Sequence, residues 1–78
     1  MDVQAELQTV FREVFDDPAL VITRATTAED IEDWDSIAQM NLLVAIEEHF
    51  HMRFKMEETT RFQNVGEMMD IITERVGK

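Results

Sequence analysis

A serine, Ser36, stands directly after the acidic run Glu29-Asp30-Ile31-Glu32-Asp33-Trp34-Asp35 and directly before a stretch that reads as a long helix. A helix N-terminus offers unpaired backbone N–H groups and the positive end of the helix dipole, which suits a phosphate ester carried on a side chain there. Taken alone, a serine in that place is most often simply a helix cap. Nothing near Ser36 would activate it as a nucleophile. The two histidines, His49 and His51, fall at the far end of the same helix, and there is no Gly-rich nucleophile elbow. If Ser36 is modified, another enzyme does it.

The remaining chemistry-bearing residues read as structural. The run Asp30-x-Glu32-Asp33-x-Asp35 lacks the Gly and the closing Glu of a calcium loop, so a solvated acidic loop is expected and no metal site. His49 and His51 are two apart and diverge on a helix; their place near its C-terminus favours contact with the dipole. The chain has no cysteine, hence neither a disulfide framework nor a thiolate zinc site. Of the six methionines, Met68 and Met69 fit a core, whereas Met40 falls outside it.

The elements that must position Ser36 follow from periodicity. Val3, Leu7, Val10, Phe11 and Val14 recur at helical spacing, which predicts a helix from about residue 3 to 15, capped by Asp2 and stopped by Asp16-Asp17-Pro18. From Asp16 to Asp35 no period is sustained. A loop of about 20 residues in so small a domain needs pinning. The apolar run Leu20-Val21-Ile22 can dip into the core, and Thr26 with Glu29 has capping-box spacing for a short helical turn leading to Ile31. A second helix runs from Asp35 to His49 or Phe50, with Asp35 or Ser36 as its cap and Gln39 three residues after Ser36. A brief helix between Met56 and Phe62, anchored by Phe54 and Phe62, precedes a last helix opened by Asn64 with Glu67 and closed by Gly77. The predicted fold is all-α, a small four-helix bundle of three main helices and one short one, with a long loop between helices one and two. Its core should hold Val10, Phe11, Leu42, Ile46, Phe50, Phe54, Phe62, Val65, Met69 and Ile72.

Turned at about 100° per residue, the second helix separates its apolar side chains into two stripes. Leu42, Leu43, Ile46 and Phe50 form one; Ile37, Met40 and Val44 form another, flanked by Asn41, Glu47 and Glu48. A small bundle has little material to cover both. The second stripe therefore reads as an exposed docking face edged with carboxylates, the alternative being that the loop from Asp16 to Asp35 folds over it.

The chain has 78 residues, with 7 Lys plus Arg against 17 Asp plus Glu, for a net charge of −10. That length supports one domain, residues 1–78, which hides about 60 to 65% of its surface on folding and leaves no room for a deep cleft. An autonomous enzyme is not expected. The acidity disfavours nucleic acid and favours partners with basic patches. No apolar run approaches the roughly 18 residues of a membrane span, and no signal peptide is recognisable, so a cytoplasmic monomer is expected.

At Asp35-Ser36-Ile37 the sequence resembles the acyl carrier protein family and its Asp-Ser-Leu signature. The following Leu42-Leu43-Val44-Ala45-Ile46-Glu47-Glu48-His49-Phe50 is similar to that family's long second helix, and the likeness covers nearly the whole chain. The resemblance implies that Ser36 carries a 4′-phosphopantetheine arm, transferred from coenzyme A by a phosphopantetheinyl transferase, and that the arm's thiol holds acyl groups as thioesters. It implies that Asp35 helps to position the transferase and its metal-bound coenzyme A. Ile37, Met40, Val44, Glu47 and Glu48 would form the surface read by acyl or aminoacyl ligases, synthases and transferases of fatty-acid, lipid or specialised, polyketide-like biosynthesis. Ala38 and Asn41 are neutral where typical fatty-acid carriers place further acids, and Trp34 precedes Asp35 where a small residue is frequent, which adds weight to a specialised role. The rival reading is an unmodified acidic helical module that binds a basic protein through the same stripe.

Overall fold

A computed structural model describes residues 2–59 and 64–76. The chain forms α1 (Val3–Val14), α2 (Ser36–Phe50), α3 (Met56–Thr59) and α4 (Val65–Val76), with no strand among the described residues. The all-α four-helix reading therefore holds, with three long helices and one short one. The expected contributions of Phe62 and Gly77 lie outside the described residues.

Each long helix starts where a short polar side chain can accept from its first turn. Asp2 Oδ1 accepts from Ala5 N–H at 3.2 Å, Asp35 Oδ1 from Ala38 N–H at 2.8 Å and Asn64 Oδ1 from Glu67 N–H at 3.0 Å. The first two helices end alike. Asp16, at φ 50°, and His51, at φ 53°, turn the chain left-handed, and the next amides reach back: Asp17 N–H to Arg12 O at 3.0 Å, Met52 N–H to Glu47 O at 3.1 Å.

The core is built from Leu7, Val10 and Phe11 of α1, Leu42, Ile46 and Phe50 of α2, and Val65, Met68, Met69 and Ile72 of α4. Ile22, Ile31 and Met52 join it from the connections. Phe54, expected in the core, is only half-buried against it.

The long connection is held both by its neighbours and by turns of its own. Ile22 is fully buried, and its backbone is satisfied by α1 side chains: its N–H donates to Gln8 Oε1 at 3.0 Å and its carbonyl accepts from Gln4 Nε2 at 3.2 Å. Further along, Val65 N–H donates to Thr26 O at 2.8 Å and Gly66 N–H to Arg24 O at 2.9 Å, so loop carbonyls occupy amides that the start of α4 would otherwise leave unpaired. Arg24 also pairs with Asp70 at 3.0 Å. The expected Thr26–Glu29 box is not formed. The partners lie one residue on, Thr27 N–H donating to Asp30 Oδ2 at 2.9 Å, because Thr26 is buried and its Oγ1 accepts from Thr23 N–H at 2.9 Å. Successive turns, not a helix, deliver Ile31 to the core.

Gly66 makes this stitching possible. A Cβ there would lie 2.9 Å from Arg24 O, a backbone atom held by the Gly66 amide itself. Gly66→Ala gains about 1 kcal/mol of helix propensity, but it must push the connection off α4. We expect a net loss that lowers Tm by roughly 5 °C or more in thermal circular dichroism. An unchanged or raised Tm would show that the connection gives way freely.

α3 contributes no buried residue. It is held by Arg75, whose Nη2 donates to Glu58 Oε2 at 2.5 Å and whose Nη1 donates to Arg53 O at 2.6 Å. The hydrogen bond from Arg75 holds the Glu58 carboxyl below the usual glutamate range. A depressed carboxylate stabilises the fold above its unfolded value, and the contribution is lost as pH falls through the folded one. The Glu58–Arg75 contribution to the attachment of α3 thus weakens in acid.

Candidate functional site

Asp35, not Ser36, caps α2: its backbone is extended, its Oδ1 accepts from Ala38 N–H, and its carbonyl accepts from Gln39 N–H at 2.8 Å. Ser36 is therefore the first residue of the helix, exposed, with a hydroxyl that the cap does not use. The amides of Ser36 and Ile37 are those a helix start leaves without an intrahelical acceptor. A phosphate ester on Ser36 Oγ fits this place, since it would meet solvent, unpaired N–H groups and the positive dipole end, with no side chain to displace. No base is at hand. His49 lies about 20 Å further along α2 and its Nε2 is 2.9 Å from Glu6 Oε1 of α1. His49 thus ties two helices together, beyond the dipole contact expected from its position.

The capping role of Asp35 can be separated from its charge. Asp35→Ala should cost about 1 kcal/mol and lower Tm by roughly 4 to 8 °C, whereas Asp35→Asn, an equally good cap, should melt close to the unmodified sequence. A Tm for Asp35→Ala equal to that of Asp35→Asn would exclude the cap as the start signal of α2.

Trp34 fixes where this helix begins. Its ring meets Phe11 edge-on at 5.3 Å and Phe15 at 6.1 Å, and its Nε1–H donates to Gln39 Oε1 at 2.6 Å. Gln39, predicted to complete a capping box, instead holds Trp34. In the sequence Trp34 stands out only as a departure from a family pattern. The signal for its role was an aromatic residue one position before a cap, with an amide five residues on.

The two stripes of α2 separate as expected. Leu42, Ile46 and Phe50 are buried, but Leu43, expected with them, is only half-buried; Ile37 is 72%, Met40 69% and Val44 54% exposed. The long connection does not cover the second stripe. Glu48 is exposed beside it. Glu47 is half-buried, and its Oε2 accepts from Phe54 N–H at 2.9 Å, so this carboxylate holds the chain leaving α2. Past Val44 the stripe runs into a groove of about 420 Å³ lined by Val44, Glu47, Glu48, His51, Met52 and Arg53. The last three were not anticipated, because they follow the predicted end of the helix and owe their position to the left-handed turn at His51.

The acidic run before Ser36 does not converge on a point. Asp30 is engaged with Thr27 and Asp35 with Ala38, and among the described residues no three acidic or histidine side chains are placed to hold a metal ion. Several basic groups are committed: Arg12 to Leu20 O at 2.7 Å, Arg24 to Asp70 and Arg75 to Glu58. The excess of carboxylates therefore stays on the surface. No helix among the described residues is long and apolar enough to cross a membrane.

Comparison with known proteins agrees with this geometry. The family described as "Phosphopantetheine attachment site" matches residues 5–72. An acyl carrier protein of Thermosynechococcus vestitus is 33% identical over 60 residues, which span 77% of this chain and 73% of that protein. The solution structure of a holo acyl carrier protein from Geobacter metallireducens superposes with a TM-score of 0.92 at 39% identity, covering 99% of this chain and 88% of that one.

Proposed function

The chain belongs to the acyl carrier protein family, whose members carry a phosphopantetheine group, and we propose that Ser36 is the residue that bears this group here. The observation that supports this reading is an exposed serine, free of the cap, at the first position of α2, beside an exposed apolar stripe on the same helix. When bound, the group supplies a terminal thiol that holds acyl chains as thioesters. Everything else falls to the chain's own residues and to its partners.

Ser36 Oγ forms the new bond to phosphorus as the coenzyme A phosphoanhydride breaks and adenosine 3′,5′-bisphosphate leaves. The Ser36 proton passes to the transferase, since neither histidine of this chain is near: His49 is engaged with Glu6 at the far end of α2. The Asp35 cap engages one carboxylate oxygen and leaves the other to help position the transferase with its metal-bound coenzyme A. Ile37, Met40 and Val44 provide apolar contact, and Glu48, with the half-buried Glu47 at its margin, meets basic residues of the partner. The net charge of −10 steers encounters with the transferase, an acyl or aminoacyl ligase, and synthases whose docking patches are basic. We place the chain in the cytoplasm as a non-catalytic carrier for fatty-acid, lipid or polyketide-like synthesis.

The absence of cysteine gives a clean test. Incubation with coenzyme A, Mg²⁺ and a broad-specificity phosphopantetheinyl transferase, followed by desalting and thiol titration, should raise the thiol content from none to one per chain. A folded chain that stays at none with two different transferases would favour the unmodified interaction module.

A further inference from the structure

We propose that Met40 is a reversible oxidation switch on the docking face: conversion of its thioether to the sulfoxide blocks engagement of Ser36 by partner proteins. The proposal rests on the reading of the α2 stripe as the docking face. Among the described methionines, Met40 is 69% and Met56 86% exposed, while Met52, Met68 and Met69 are buried at 8%, 0% and 7%. The chain has no cysteine to intercept an oxidant. Met40 is four residues after Ser36, so the two side chains stack on one face of the helix. It also sits between Ile37 and Val44, at the centre of the stripe. A protein that closes over Ser36 therefore covers the Met40 sulfur.

The chemistry balances with a hydroperoxide as oxidant. Its O–O bond breaks, one oxygen bonds to sulfur, the sulfur loses two electrons, and the peroxide leaves as water or an alcohol. The product is a polar, chiral group that must be desolvated in an apolar contact, and sulfoxide reductases restore the thioether. The net charge does not change, so electrostatic steering is kept and only the docked complex is weakened.

The test treats the full chain, before any phosphopantetheine is attached, with hydrogen peroxide. Peptide mass mapping locates the added oxygen, and the initial rate of phosphopantetheine transfer by a broad-specificity transferase is then measured. Met40 and Met56 should oxidise ahead of Met52, Met68 and Met69. The rate should fall about tenfold, the scale of losing one well-packed contact, with the thermal melt unchanged, and should return after treatment with reductases for both sulfoxide epimers. Each variant is compared with its own untreated form: Met40→Leu should become insensitive to peroxide and Met56→Leu should remain sensitive. An oxidised chain modified at the untreated rate, or a loss that persists in Met40→Leu, overturns the switch. Ile37→Asp separates the two levels, because an unaltered rate in that variant overturns the docking reading itself. A slowed Ile37→Asp with a peroxide-insensitive parent chain overturns only the role of Met40.

Discussion

Ser36→Ala is expected to abolish phosphopantetheine attachment completely while leaving the bundle intact. Ser36 is the only serine in the chain. Several threonine hydroxyls are already engaged: Thr9 donates to Ala5 O at 3.2 Å, Thr59 to Met56 O at 2.7 Å, and Thr23 and Thr26 bond each other at 3.3 Å. None of these stands at the start of a long helix beside an apolar stripe, as Ser36 does. Alanine costs nothing in return. The cap belongs to Asp35, and alanine is a better helix former than serine by a few tenths of a kcal/mol, so Tm should stay within about 3 °C. Thiol titration after transferase treatment reads the first effect and circular dichroism the second. A Ser36→Ala protein that still gains a thiol would place the attachment elsewhere.

Phe11→Ala should have the largest effect on stability. Phe11 is fully buried and carries the aromatic cluster on which Trp34 rests, with ring distances of 5.3 Å to Trp34 and 5.8 Å to Phe15. Removing a buried phenyl ring costs about 3 to 5 kcal/mol, most of the stability a domain of this size has. Tm should fall by roughly 15 °C or more. Trp34 is the only tryptophan, so its emission should shift to the red as the ring loses its seat. Phosphopantetheine transfer should slow in parallel, because the residue that sets the entry into α2 is no longer anchored. Val21→Ala is the control: Val21 is 66% exposed, and the change should stay within about 0.5 kcal/mol. Equal losses in the two variants would mean that the aromatic cluster does not hold the long connection in place.

These two residues also mark how far local pattern carries. Helix starts were readable because Asp2, Asp35 and Asn64 are short polar side chains placed immediately before apolar periods. The two faces of α2 were readable because a bundle of this size cannot cover Ile37, Met40 and Val44 as well as Leu42 and Ile46. The long connection was less legible. Ile22 and Ile31 were legible as apolar residues able to reach the core, but the bonds that hold the connection, to Ile22, Arg24 and Thr26, come from Gln4, Gln8, Gly66 and Val65, far away in sequence. No spacing rule reports such a bond. The groove beyond Val44 depends on His51 adopting a left-handed conformation, which a histidine at that position does not announce. Helical position places Glu47 at the stripe, but its bond to Phe54 is set by the returning chain and no spacing within α2 reports it.

Attachment of the group at Ser36 is tested most directly by localising the modification. The chain is incubated with coenzyme A, Mg²⁺ and a phosphopantetheinyl transferase, its intact mass is measured, and the peptide containing Asp35-Ser36-Ile37 is fragmented in a tandem mass spectrometer. The expected result is one phosphopantetheinyl group per chain, carried on Ser36, with no modified form of any other peptide. A mass gain assigned to a different residue, or no gain in a chain shown to be folded, would contradict the account.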